Sequence, residues 1–191
     1  MQATDILMQE HRVIEQMLNS LQTAAQAAGD GAPVRPSFFI DAANFIRGFA
    51  DGCHHHKEEG VLFKMMETHG MPVQGGPVAV MLHEHELGRQ YTRGMRAAAE
   101  KWQGGGDESA RAEVVENALA YVNLLRQHIL KEDQVLFPMA DRVIPVGEHP
   151  AVLTGFEHVE HEETGEGIHE KYLALADALG KEIQGLPAKP A

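Results

Sequence analysis

The sequence predicts an all-α fold: an antiparallel up-down-up-down four-helix bundle, built from a two-helix unit used twice, with an additional helix at its C-terminal end. Three observations carry that expectation. No segment alternates polar and apolar residues as a half-buried strand does, and Val, Ile and Thr are sparse while Ala, Leu, Met, Glu and Gln are plentiful. Gly and Pro cluster at 29–36, 70–77, 104–107 and 145–150, which leaves five segments of roughly 20 to 35 residues. Within the segments, apolar residues recur at intervals of three and four, the period of a helix with one buried stripe.

The first segment shows the pattern in Leu7, His11, Ile14, Leu18, Leu21 and Ala25, so His11 faces the core. The second carries Ile46, Ala50, His54, Val61 and Met65. The third carries Val78, Met81, His85, Gly88, Thr92, Met95 and Ala99, and here His85 points inward. The fourth repeats the theme with Ala118, Tyr121, Leu125, His128, Val135 and Met139. Short connections between successive long helices favour antiparallel neighbours, hence the up-down-up-down order over residues 1–145. Residues 146–191 are expected to add a fifth helix, spanning about 148 to 184, and a short tail. Its later half has a stripe of Ile168, Tyr172, Leu175, Leu179 and Ile183 that can dock on the bundle, whereas Glu157, Glu160, His161, Glu162, Glu163 and Glu166 read as a solvated acidic face, the alternative being that Glu157, Glu160, His161 and Thr164 extend the stripe and reach toward the inward histidines.

The chain has 191 residues, the size of one domain with a core that needs no disulfides. Sixteen basic against 28 acidic residues give a net charge of −12, which argues against nucleic acid or an anionic membrane as partner. Cys53 is the sole cysteine, no 18-residue apolar run is present, and the first twenty residues lack the basic start of a signal peptide. A cytoplasmic protein is the expectation. Histidine is the anomaly, at 12 of 191 residues.

An internal repeat organises those histidines. An offset of 74 residues superposes Glu10-His11 on Glu84-His85 and the string 53–63 on 127–137, pairing His54 with His128, Lys57 with Lys131 and Glu58 with Glu132. The interval from His11 to His54 is 43 residues, as is that from His85 to His128. The register sets aside His55 and His56, whose partners are Ile129 and Leu130. It leaves two acidic candidates in each half, Glu58 or Glu59 and Glu132 or Asp133. Helix geometry separates them, because i and i+4 lie about 40° apart while i+5 is rotated by about 140°. His54 with Glu58, and His128 with Glu132, are the pairs that converge.

Four inward histidines (His11, His54, His85, His128) and two inward glutamates (Glu58, Glu132) would then occupy one layer of the bundle. Two carboxylates buried together require a compensating cation. Six imidazole and carboxylate donors suit two near-octahedral first-row ions better than one tetrahedral zinc. Two iron ions are expected, with an oxo or hydroxo bridge among the remaining positions; manganese or zinc are possible substitutes. Such a site can bind or reduce dioxygen, peroxide or nitric oxide.

These residues resemble the hemerythrin-like proteins, known also by their histidine and glutamate (HHE) cation-binding motifs. The resemblance rests on Glu10-His11, the string from His54 to Phe63, Glu84-His85 and the string from His128 to Pro138, and spans roughly residues 4 to 142. It implies a non-heme di-iron centre with His11, His54, His85 and His128 as terminal ligands and Glu58 and Glu132 as bridges. Oxygen-carrying members have two ligand histidines four apart on the third helix; here the neighbours of His85 at that spacing are Met81 and Arg89. His83 is turned about 200° away from His85. The carriers also use a carboxylate five residues after the fourth-helix histidine, the position of Asp133, but the repeat favours Glu132. The departure moves the expectation from oxygen carriage toward redox, peroxide-reactive or sensing members, with iron storage or sensing without turnover as the alternative. A ferritin-like site would need two Glu-xx-His motifs, and only Glu166 to His169 has that spacing.

Overall fold

The computed structural model describes residues 2–165 and 167–185, with side chains omitted for 162–164. Glu166 and the side chains of Glu162 and Glu163 therefore lie outside the described residues, as does the tail from 186. The chain is all-helical, with no strand among the described residues. Helix α1 (Ala3–Gly29) is followed by α2 (Pro36–Phe45) and α3 (Phe63–Thr68), which flank two π-helical stretches, Ile46–His55 and Glu58–Leu62. Helix α4 covers Gly76–Gln103. Helix α5 (Glu108–Lys131) passes through a further π-helical stretch, Glu132–Leu136, into α6 (Phe137–Val143). Packing is most extensive between α4 and α5, then between α1 and α5 and between α2 and α4.

Local chemistry sets the helix ends. The Gln2 amide donates to Asp5 at 2.8 Å to close a capping box on α1, and Asp107 accepts from the Ser109 amide at 3.1 Å to start α5. Gly75 and Gly76 adopt φ of 78° and 80° before Pro77, a left-handed turn that favours glycine.

The C-terminal region is not the single helix expected from its stripe. Helix α7 (His149–His158) continues into a π-helical turn, Val159–Gly165, and α8 (Ile168–Gln184) begins after Gly167, whose φ is 76°. Left-handed backbone at Gly165 and Gly167 ends one helix axis and allows another. Helix α8 packs on α1 and α2 through Ala176, Leu179 and Ile183. Gly48 makes this approach possible, since a Cβ there would sit 1.9 Å from the Tyr172 ring.

Two apolar clusters fill the interior. One gathers Leu18, Leu21, Phe38, Phe49, Val114 and Leu125 with the α8 residues; the other gathers Leu7, Leu62, Met81, Leu136, Phe137 and Phe156. Each fully buried Leu or Phe contributes about 1.5–3 kcal/mol. Along α1 the boundary falls between Leu7 and Ile14, and along the α5–α6 column between Ile129 and Leu136. Between the two clusters lies a buried polar layer of Glu10, His11, His54, His55, Lys57, Glu58, His85, His128 and Glu132.

Candidate metal centre

Each of the six residues singled out from the sequence lies in that layer. His11 comes from α1, His85 from α4 and His128 from α5; His54 lies near the end of one π-helical stretch, while Glu58 and Glu132 begin others. All six are at most 1% exposed. His54 Nε2 and His85 Nε2 face the two oxygens of Glu58 at 3.5 and 3.4 Å. His11 Nε2 and His128 Nε2 both face Glu132 Oε2 at 3.2 Å. The two halves meet where His85 Nε2 and His128 Nε2 stand 3.1 Å apart.

The opposite nitrogen of every ring is held by a carboxylate. Nδ1–H of His11 donates to Asp133 at 2.7 Å, that of His54 to Glu10 at 2.9 Å, that of His85 to Glu59 at 2.7 Å and that of His128 to Glu84 at 3.0 Å. A proton fixed on Nδ1 leaves the Nε2 lone pair aimed at the glutamates, the tautomer a metal ligand requires. The acidic residues that competed for the bridging role thus have separate tasks: Glu58 and Glu132 point to the centre, while Glu59 and Asp133 orient histidines from outside. Arg89 steadies Glu59 at 2.8 Å, and Arg12 pairs with Asp133.

Burial alone would lower the His11 pKa, but Asp133 and Glu132 outweigh it and hold it at about 9. His128 follows the same balance, burial against Glu132 and Glu84, and rises to about 10. Without another cation, the carboxylates draw protons onto the imidazoles. Even so, both oxygens of Glu58 and of Glu132, with Nε2 of His11 and His54, are buried without a hydrogen-bond partner among the described residues. With neutral imidazoles these atoms are acceptors facing acceptors in a dry layer, a costly arrangement that a metal ion relieves at all of them together.

The profile of the hemerythrin HHE cation-binding domain matches residues 2–140. The chain belongs to the hemerythrin HHE family. It is also 28% identical over 184 residues to uncharacterized proteins of Mycobacterium tuberculosis and Mycobacterium bovis, covering 93% of this chain and 70% of theirs. No solved structure matches it. Hemerythrin-like domains bind cations, typically iron, and the HHE layer described above offers the donors for one.

Two features of this hemerythrin-like layer break the symmetry of the repeat. His55, set aside because its partner is Ile129, is buried against the other histidines of the layer, its ring stacked on His85 at 3.8 Å between centroids. Burial, with His85, His54 and His128 beside it, pushes its pKa well below the ordinary histidine value. His56 is exposed. Lys57 is fully buried and donates to Glu10 at 2.5 Å and to Glu160 at 2.8 Å, so the turn after α7 reaches the network behind His54. Glu160 is therefore half-buried and paired, not part of a solvated face. Burial is the main cause that pushes the neighbouring Cys53 thiol up to about 11, which leaves it an inert packing residue.

A cavity of about 250 Å³ abuts the histidine layer, lined by Ile46, His55, His85, Gly88, Thr92 and Tyr121, with Arg47, Arg89, Arg93 and Arg96 also on its wall. A Cβ on Gly88 would meet the Tyr121 ring at 3.4 Å. Glycine there serves close packing and adds room to the cavity.

Among the described residues, no helix is long and apolar enough to cross a membrane.

Proposed function

We propose that this chain holds two iron ions through His11, His54, Glu58, His85, His128 and Glu132, with the two glutamates shared between the ions. On this reading the four helical columns form an up-down-up-down bundle within residues 1–145, and α7 and α8 cover one side of it. The observation that carries the proposal is the agreement of four rings: each has Nδ1 tied to a carboxylate and Nε2 turned to an unpartnered glutamate. Metal-binding imidazoles characteristically donate the ring N–H away from the metal to a carboxylate, and all four rings follow that pattern.

An iron pair supplies one- or two-electron chemistry toward dioxygen, peroxide or nitric oxide, and we assign that ligand class to the centre in a redox or oxidative-stress role. The protein's own contribution is a dry layer, fixed imidazole tautomers and a cavity reaching His55 and His85. Manganese or zinc fit the same donors as substitutes. Elemental analysis of protein grown with adequate iron tests identity and count together. Two ions per chain are expected, and Glu132→Ala should lose at least one; full retention would overturn the shared role of Glu132. Peroxide turnover by the iron-loaded protein above that of free iron tests the reactivity.

A second reading, sensing without turnover, is favoured by the chain Glu160–Lys57–Glu10–His54, which ties the C-terminal region to one histidine of the centre. It predicts spectral and conformational response to oxygen or nitric oxide with no steady-state consumption of peroxide.

A further inference from the structure

The buried layer contains five imidazoles, and the fifth, His55, breaks the symmetry of the repeat. It is 4% exposed, and its Nδ1 is buried with no hydrogen-bond partner among the described residues. A core histidine kept for packing satisfies its polar atoms, because an unsatisfied one costs about 1–3 kcal/mol. His55 does not.

Its surroundings resemble those of the other four rings, with a longer carboxylate contact that falls short of a hydrogen bond. Each of those has a carboxylate behind Nδ1; His55 Nδ1 has Asp51 Oδ1 at 3.5 Å, and Arg89 fixes that carboxylate at 2.7 Å. One donor atom each from His55, Glu58, His85 and His128 lies within 4.8 Å of the others, and the same holds for His11, His54, Glu58 and Glu132. Donors on opposite sides of one ion are about 4.2 Å apart at metal–nitrogen distances near 2.1 Å, so each group encloses a space of ionic size. Glu58 belongs to both. The π-helical stretch Ile46–His55 accounts for two adjacent histidines reaching one centre, since its wider turn displaces His55 from the face an α-helix would give it.

We propose that His55 is a fifth imidazole ligand, so that one ion is held by His55, His85 and His128 and the other by His11 and His54, with Glu58 and Glu132 shared between them. The inference rests on the metal pair proposed above and adds that its two ions are inequivalent. The stacked rings of His55 and His85 would spread to admit the ion between their nitrogens.

The test uses the full iron-loaded chain, with His55→Ala, His55→Gln and the exposed-site control His56→Ala. Iron per chain is measured after dialysis against a graded series of chelator concentrations, alongside Mössbauer spectra. The expected result is two distinct iron environments in the wild type, and loss of one ion from both His55 variants at a chelator concentration about tenfold lower than for wild type or His56→Ala. X-ray absorption on the wild type alone should fit five imidazoles over two ions, which keeps the question open to decision if a variant misfolds. Retention of both ions at wild-type affinity in His55→Gln, or absorption data fitting four imidazoles, overturns the fifth ligand and leaves the metal pair standing. A wild type that retains no iron overturns both.

Discussion

His54 donates from Nδ1 to Glu10 at 2.9 Å, across 44 positions of sequence, and its repeat counterpart His128 makes the equivalent bond to Glu84 at 3.0 Å. Each Glu-His pair in the sequence therefore serves two rings: the histidine enters the centre while the glutamate orients the histidine of the next column. Removing that carboxylate frees the ring to rotate and lowers its basicity. Glu10→Gln and Glu84→Gln should each weaken iron binding about 10–100-fold, measured by competition with a chromophoric chelator. Unchanged affinity in both would show that the carboxylates do not set ligand orientation.

The two repeat lysines should differ in their worth to stability. Lys57 is fully buried between Glu10 and Glu160, whereas Lys131 is 40% exposed and pairs with Glu84. Lys57→Ala removes the buried ammonium shared by Glu10 and Glu160 and leaves Glu10 with His54 alone to offset its buried charge, which should cost about 3–5 kcal/mol. For Lys131→Ala the cost should be about 0–1 kcal/mol. Urea unfolding of the iron-loaded proteins, compared at one pH, measures both.

Metal-free protein should lose stability in alkali. The pKa of His11 is raised to about 9 and that of His128 to about 10, against about 6.5 in an unfolded chain. Their protonation therefore stabilises the fold fully below about pH 6.5, and the contribution disappears as pH rises through 9 and 10. Iron reverses the dependence, because ligation needs neutral imidazoles and acid displaces the metal. Denaturation midpoints of apo and iron-loaded protein between pH 6.5 and 10 should diverge; parallel profiles would contradict the shared use of these rings by protons and metal.

The sequence made the central layer legible because the repeat at 74 residues marks positions that a lone histidine could not. His11, His54, Glu58, His85, His128 and Glu132 were recoverable from spacing alone. His55 was not, for the repeat compares it with Ile129 and α-helical angles do not hold in a π-helical stretch. Glu59 and Asp133 were visible only as rivals of the inner glutamates, since their partners, His85 and His11, lie 26 and 122 positions away. Glu160 stood on the backward extension of the α8 stripe, open to either a solvated or an inward-reaching role. Nothing in its local pattern reveals the buried ammonium of Lys57 that it meets, nor the glycine break that turns α8 away from α7.

The cavity beside His55 and His85 offers a last measurement, on access to the centre. Gly88 lines it, and a side chain there would project toward Tyr121, whose hydroxyl is buried without a hydrogen-bond partner among the described residues. Gly88→Val should therefore fill part of the cavity at an overpacking cost of about 1–3 kcal/mol, while leaving the metal donors untouched. Tyr121→Phe keeps the shape and removes the one unpartnered hydroxyl. If small ligands reach the centre by this route, stopped-flow mixing of the reduced iron-loaded protein with oxygen should show slower reaction in Gly88→Val at unchanged iron content. In Tyr121→Phe the entry rate should persist while the final spectrum shifts, since the hydroxyl can donate to whatever occupies the cavity. Wild-type rates and spectra in both variants would place ligand entry elsewhere.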